Sequence, residues 1–71
     1  MAVFTSSVMA LRRKMIVRCL RKSGAVSPDT AKTLEEARVI NPDNFPEFTQ
    51  QLVWLDVIHR TKDGKYYTDP D

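Results

Sequence analysis

Between Leu11 and Lys22 the apolar residues Leu11, Met15, Ile16, Cys19 and Leu20 recur at helical spacing with cations between them. Ser23-Gly24 closes this first predicted helix, since glycine accepts the left-handed position that follows a helix end. Ser27-Pro28-Asp29-Thr30 then carries the signals of a helix start: a capping hydroxyl, proline in the first turn, and an acid at the positive helix end. The second helix is expected to bury Ala31, Leu34 and Ala37, and to stop at Val39-Ile40-Asn41-Pro42-Asp43, where Pro42 restricts Asn41 to extended backbone. A third helix is predicted from Phe45 to about Leu55, capped by Asn44 or Asp43, with Phe45, Phe48, Leu52 and Leu55 as its buried stripe. Asp56 stands where a helix ends in the left-handed region, which Asp tolerates better than most residues. Two strand-like runs follow, 57–61 and 66–68, joined through Lys62-Asp63-Gly64-Lys65. Asp-Gly between such runs is a strong hairpin signal, for a tight turn with positive φ at both central positions.

The pattern therefore predicts a mainly α domain with a small β-hairpin, in the order helix, helix, helix, hairpin. Residues 1–10 form an apolar N-terminal arm, 11–68 the domain and 69–71 a tail. Three amphipathic helices and one hairpin cannot bury their apolar faces singly, so a shared core is expected, with the hairpin laid on the last two helices. No internal repeat or low-complexity segment is evident.

Over residues 11–68 this order resembles the winged-helix (winged helix-turn-helix) superfamily. The resemblance rests on 15–24 as the first helix, Ser27-Pro28-Asp29-Thr30-Ala31 opening the second, Leu52 to Arg60 as the passage into the wing, and Asp63-Gly64-Lys65-Tyr66-Tyr67 as the wing. It implies a three-helix winged-helix-like fold and a DNA-binding role, with the start of the third helix entering the major groove. Two features depart from the family: Asp56 replaces a usual glycine, and the connection 39–44 is long. The third helix's start, Pro42-Asp43-Asn44-Phe45-Pro46-Glu47, holds two carboxylates and neither Arg nor Lys, which argues against groove reading there.

Composition adds limits. With 71 residues, 42 % hydrophobic and 28 % charged, the chain has the make-up of one small globular domain. No apolar run reaches the roughly 20 residues that span a bilayer. One cysteine and one histidine exclude a disulfide framework and cannot fill a zinc site, so no metal or cofactor is expected. The lone thiol suits a reducing, cytoplasmic setting. Apolar residues precede the cations at the N-terminus, the reverse of a secretory signal, and the basic stretch runs on into the first helix rather than forming a transit segment.

The net charge of +2 hides a strong polarity: residues 1–28 contain six cations and no acid, residues 29–71 five cations and nine acids. The candidate nucleic-acid contacts are Arg12, Arg13, Lys14 and Arg18 on the first helix and Arg60, Lys62 and Lys65 on the hairpin. The plainer alternatives are a solvated helix face and lysines that protect a sheet edge.

Trp54 falls on the helix face opposite Leu52 and Leu55, and reads either as an interface anchor or as a ring covered by the hairpin or the arm. The arm residues Val3, Phe4, Val8 and Met9 suit a homodimer contact, a membrane surface or an unpacked terminus.

Cys19 and His59 form a conceivable nucleophile–base pair, but Cys19 lies on the apolar face and His59 has no orienting carboxylate in view. Asp43 and Glu47 read as helix-capping acids, and two glycines make no phosphate loop. No enzymatic constellation emerges. The expected function is a non-enzymatic binding module, for nucleic acid through the basic hairpin and first helix, or alternatively for protein or membrane through Trp54 and the apolar arm.

Overall fold

The computed structural model describes the backbone of residues 3–70 and the side chains from Val8 to Pro70. Its elements are helix α1 (Val3–Lys22), a single 3-10 turn (Pro28–Thr30), helix α2 (Pro46–Trp54), and strands β1 (His59–Arg60) and β2 (Tyr66–Tyr67). The three-helix winged-helix-like layout expected from the sequence is thus corrected: the described residues contain two α-helices and one antiparallel hairpin.

The missing helix has a local explanation. Its start signal operates, because the Thr30 hydroxyl accepts from the Val26 and Ser27 amides at 3.2 and 3.1 Å, but it closes only one turn. Ala31 is then extended (φ −58, ψ 148). Both backbone groups of Lys32 are taken by Tyr66, its amide donating at 2.9 Å and its carbonyl accepting at 2.7 Å. A residue spent on a sheet bridge cannot extend a helix, so tertiary pairing overrides the helical pattern. Thr33 restarts the chain in a second capping box, in which its amide donates to Glu36 Oε1 at 2.9 Å and its hydroxyl accepts from the Glu36 amide at 3.0 Å. That turn also ends at once.

One closing device ends α1, the 33–38 turn and α2. In α1 the Gly24 amide donates to the Arg21 carbonyl and the Ala25 amide to Leu20. The same bonds run from Arg38 to Glu35 and Val39 to Leu34, and from Asp56 to Val53 and Val57 to Leu52. This is the Schellman pattern, with Gly24 (φ 81), Arg38 (φ 66) and Asp56 (φ 60) in the left-handed position. Each closure puts a buried leucine (Leu20, Leu34, Leu52) beside Ala25, Val39 or Val57, so the three chain reversals also build the core.

The core is Ile16, Leu20, Ala25, Leu34, Ala37, Val39, Leu52 and Ile58, flanked by half-buried Met15, Cys19, Phe48 and the two tyrosines. Full burial of an aliphatic side chain is worth about 1.5–3 kcal/mol, so a core this small leaves little reserve. β2 is the central strand, with Lys32 on one side and β1 on the other in the register His59↔Tyr67 and Arg60↔Tyr66. The Thr68 amide continues the strand by donating to the Ala25 carbonyl at 3.0 Å, and its buried hydroxyl donates to Val57 at 2.9 Å.

Further expectations are revised. α2 begins at Pro46, with Phe45 as its N-cap in the left-handed region (φ 56); a following proline disfavours right-handed helix but by itself favours extended backbone. Asn41, before Pro42, is likewise left-handed (φ 50) rather than extended. Of the expected α2 stripe only Leu52 is buried and Phe48 half-buried; Phe45 is 49 % and Leu55 70 % exposed. Leu11 also leaves the core face of α1 and is exposed. The hairpin turn has positive φ only at Gly64, and the Gly64 amide donates to the Thr61 carbonyl while the Thr61 amide donates to Lys65. This is a three-residue loop with glycine at the bulge, not the two-residue tight turn.

Candidate nucleic-acid interface

The two flanks of α1 face different surroundings. On one flank the Cys19 thiol approaches the Arg38 carbonyl and Arg12 reaches the loop 40–44. On the other, Arg13, Val17 and Arg21 follow one another at four-residue intervals beside Val57, Thr68 and Asp69. Lys14 and Arg18 complete the wall of an open groove of about 510 Å³. Beside the four cations its lining holds Val17, Val57, Thr68 and Asp69.

Asp69 ties the groove to the hairpin. Its carbonyl accepts from Arg21 Nε at 3.2 Å, and its carboxylate accepts from His59 Nε2 at 3.3 Å. The His59 ring also packs on Tyr67, centroids 4.9 Å apart. The carboxylate partner for His59 that sequence reading did not find is therefore Asp69, ten residues on and joined to it across the sheet. The Cys19 thiol faces away from this pair toward Arg38, and no metal-holding group of acids, histidine and cysteine occurs among the described residues.

The predicted basic residues do not gather at one place. Arg13, Lys14 and Arg18 meet in the groove, joined by Arg21, which belongs to the same basic stretch but not to the contacts selected from the sequence. Arg12, expected to face a ligand, is buried. Its terminal nitrogens donate to the carbonyls of Ile40 (3.1 Å), Asn41 (3.0 Å) and Asn44 (3.2 Å), and its guanidinium lies 5.3 Å from the Phe45 ring centre. Its Nε is buried without a partner among the described residues. Arg60 lines a separate groove of about 480 Å³, where it donates to Gln50 Oε1 at 3.1 Å and lies 5.9 Å from the Tyr66 ring centre. Glu35 and Asp43 share that groove and oppose an anion there. Lys62 and Lys65 belong to the hairpin loop, outside both linings. The two grooves have no lining residue in common.

Trp54 is 74 % exposed, so neither the hairpin nor the described part of α1 covers it. Val8 is 62 % exposed, and Phe4 lies outside the residues whose side chains are described. Two carboxyls are held below the ordinary carboxylate range, both by local hydrogen bonds: Glu36 chiefly by the Thr33 amide and Asp63 chiefly by the Thr61 hydroxyl. Neither lies in the basic groove.

No helix among the described residues is long and apolar enough to cross a membrane. Compared with known proteins, the chain matches no family model, no curated protein and no solved structure.

Proposed function

We propose that the chain is a non-enzymatic binding module that takes the phosphate backbone of a nucleic-acid duplex along the basic flank of α1. The supporting observation is the convergence of Arg13, Lys14, Arg18 and Arg21 on one open groove that admits a single carboxylate. From residue 13 to 21 the cations extend about 12 Å along the helix. Cations in such a row displace counterions from a polyanion without reading its sequence. The binding is therefore sequence-independent, and the hairpin cations contribute little, since Arg60 opens onto the other groove.

Titration of a generic duplex at several salt concentrations tests this. Three phosphate contacts, from Arg13, Lys14 and Arg18, give log K falling with log salt at a slope of about −3. Lys14→Ala reduces that slope by about one, and Asp69→Asn strengthens binding. A duplex that fails to bind at 20–50 mM salt overturns the proposal.

A second reading, protein interaction through the end of α2, rests on Trp54 and Leu55, adjacent and 74 % and 70 % exposed. Tryptophan is enriched among interface anchors. Under this reading Trp54→Ala abolishes partner binding while duplex affinity is unchanged.

A further inference from the structure

Among the described residues Asp69 is the one carboxylate on the lining of the basic groove, and the fold holds it at two points. Its carbonyl accepts from Arg21 Nε of α1 at 3.2 Å, and its Oδ1 accepts from His59 Nε2 of β1 at 3.3 Å. The His59 side chain is 26 % exposed and that of Asp69 76 %, so the imidazole is the sheltered member of the pair. Its ring lies 4.9 Å from the Tyr67 ring of β2, and phenols keep their proton throughout the range in which imidazoles titrate. Arg60, the next residue of β1, turns instead to Gln50 and Tyr66. Among the described residues, the charged group within ion-pairing distance of the imidazole is therefore the Asp69 carboxylate, with the Arg21 guanidinium beyond it. His59 is also the only histidine of the sequence, and histidine is the side chain that ordinarily changes charge between pH 5 and 8.

On the duplex-binding reading above, on which this depends, we infer that His59 regulates the basic groove: a proton taken up by its imidazole offsets the Asp69 carboxylate and tightens the hold on a phosphate backbone. With the ring neutral, Asp69 keeps its full negative charge on the groove wall and opposes the phosphates that Arg13, Lys14 and Arg18 attract. Nε2 already directs its hydrogen at Oδ1, so the proton from solvent goes to Nδ1. The hydrogen bond becomes an ion pair of no net charge, and the groove cations then act unopposed. Linkage makes the effect reciprocal: a bound phosphate backbone favours the charged ring, so duplex binding draws in a proton. Affinity therefore rises as pH falls through the histidine range.

The test is duplex binding by the full chain at pH 8 and pH 5.5, at one salt concentration within 20–50 mM. Wild type should bind about five- to tenfold tighter at pH 5.5. His59→Gln should bind at both pH values as wild type binds at pH 8. Asp69→Asn should reach the tighter level already at pH 8 and lose most of the dependence. Calorimetry near pH 6.5 in buffers of different ionisation enthalpy should show proton uptake on binding by wild type and none by His59→Gln. If His59→Gln loses the wild-type circular dichroism, Asp69→Asn, at an exposed position, carries the comparison. Equal wild-type affinities at the two pH values, or a dependence of the same size in His59→Gln, overturn the regulation and leave the groove reading standing. A duplex that binds at neither pH removes both.

Discussion

Arg12 and Phe45 hold each other in place: the guanidinium carbon lies 5.3 Å from the ring centre, while the arginine donates to three carbonyls of the loop that ends at Phe45. That loop contains Asn41 and Phe45 in left-handed backbone, an uncommon conformation for an aromatic residue. Its carbonyls converge on a single cation, and the ring closes over it. Arg12→Ala is expected to cost about 2–4 kcal/mol, because the carbonyls lose charged donors and the ring loses its support. Arg13→Ala, one residue away on the open flank, should stay within about 0.5 kcal/mol. Urea denaturation of both variants measures the difference, and equal midpoints would refute the distinction between them.

The Schellman closures offer a test in the opposite direction. Asp56 is left-handed at φ 60 and exposed. Asp56→Gly removes a Cβ from that conformation and should raise stability by about 0.5–1 kcal/mol. Asp56→Val should lower it, since a β-branched residue fits the position poorly. Thermal melts of the pair on either side of wild type are the expected result.

Trp54 and Leu52 lie two residues apart on α2 in different surroundings, one 74 % and the other 2 % exposed. Trp54→Ala should change folding stability by less than about 0.5 kcal/mol despite the size of the deletion. Leu52→Ala should cost about 2–5 kcal/mol, because it opens a cavity beneath the α2 closure. Guanidinium titrations that rank the two the other way would place the indole in the core.

Acid should reveal the second capping box. The Glu36 carboxyl is held below its ordinary value mainly by the Thr33 amide. A carboxyl with a lowered folded pKa contributes stability above its unfolded pKa, and that contribution is lost as pH falls through the folded value. Wild type should therefore lose stability below about pH 5 more steeply than Glu36→Gln, and Thr33→Ala, which keeps the amide and loses only the smaller contribution of the hydroxyl, should flatten the same limb slightly. Melting temperatures between pH 7 and pH 2.5 check this, and parallel curves for the three proteins would reject it.

Much of this fold was legible in local residue patterns. The 11–22 part of α1, the hairpin segment and the left-handed ends at Gly24 and Asp56 are set by side-chain periodicity and by which residues tolerate positive φ, whereas α1 itself reaches back to Val3 through a stretch that reads as a separate arm. The pattern of a second helix misleads because its start signal at Ser27 is real but ends at Lys32, whose backbone groups bond to a residue thirty-four positions away. No pattern near Lys32 discloses that partner. The chain reversal at Arg38 is hidden because arginine is not a usual left-handed residue, although Leu34 and Val39 repeat the Leu-x-x-x-x-Val spacing of Leu52 and Val57. The basic flank was half legible. Helical spacing groups Arg13, Lys14 and Arg18, whereas removal of Arg12 to the interior depends on carbonyls about thirty residues downstream.

The position of β2 governs how the domain comes into being. The strand that Lys32, Ala25 and His59 all require, β2 with Thr68 after it, is synthesised after α1, α2 and β1. A nascent chain can wind α1 as it emerges, but the bonds that Ala25 and Lys32 make to the last strand cannot close until Thr68 has left the ribosome. Until then Ile16, Leu20 and Ile58 lack their covering, and the growing polypeptide is most exposed to chaperones and proteases during this interval.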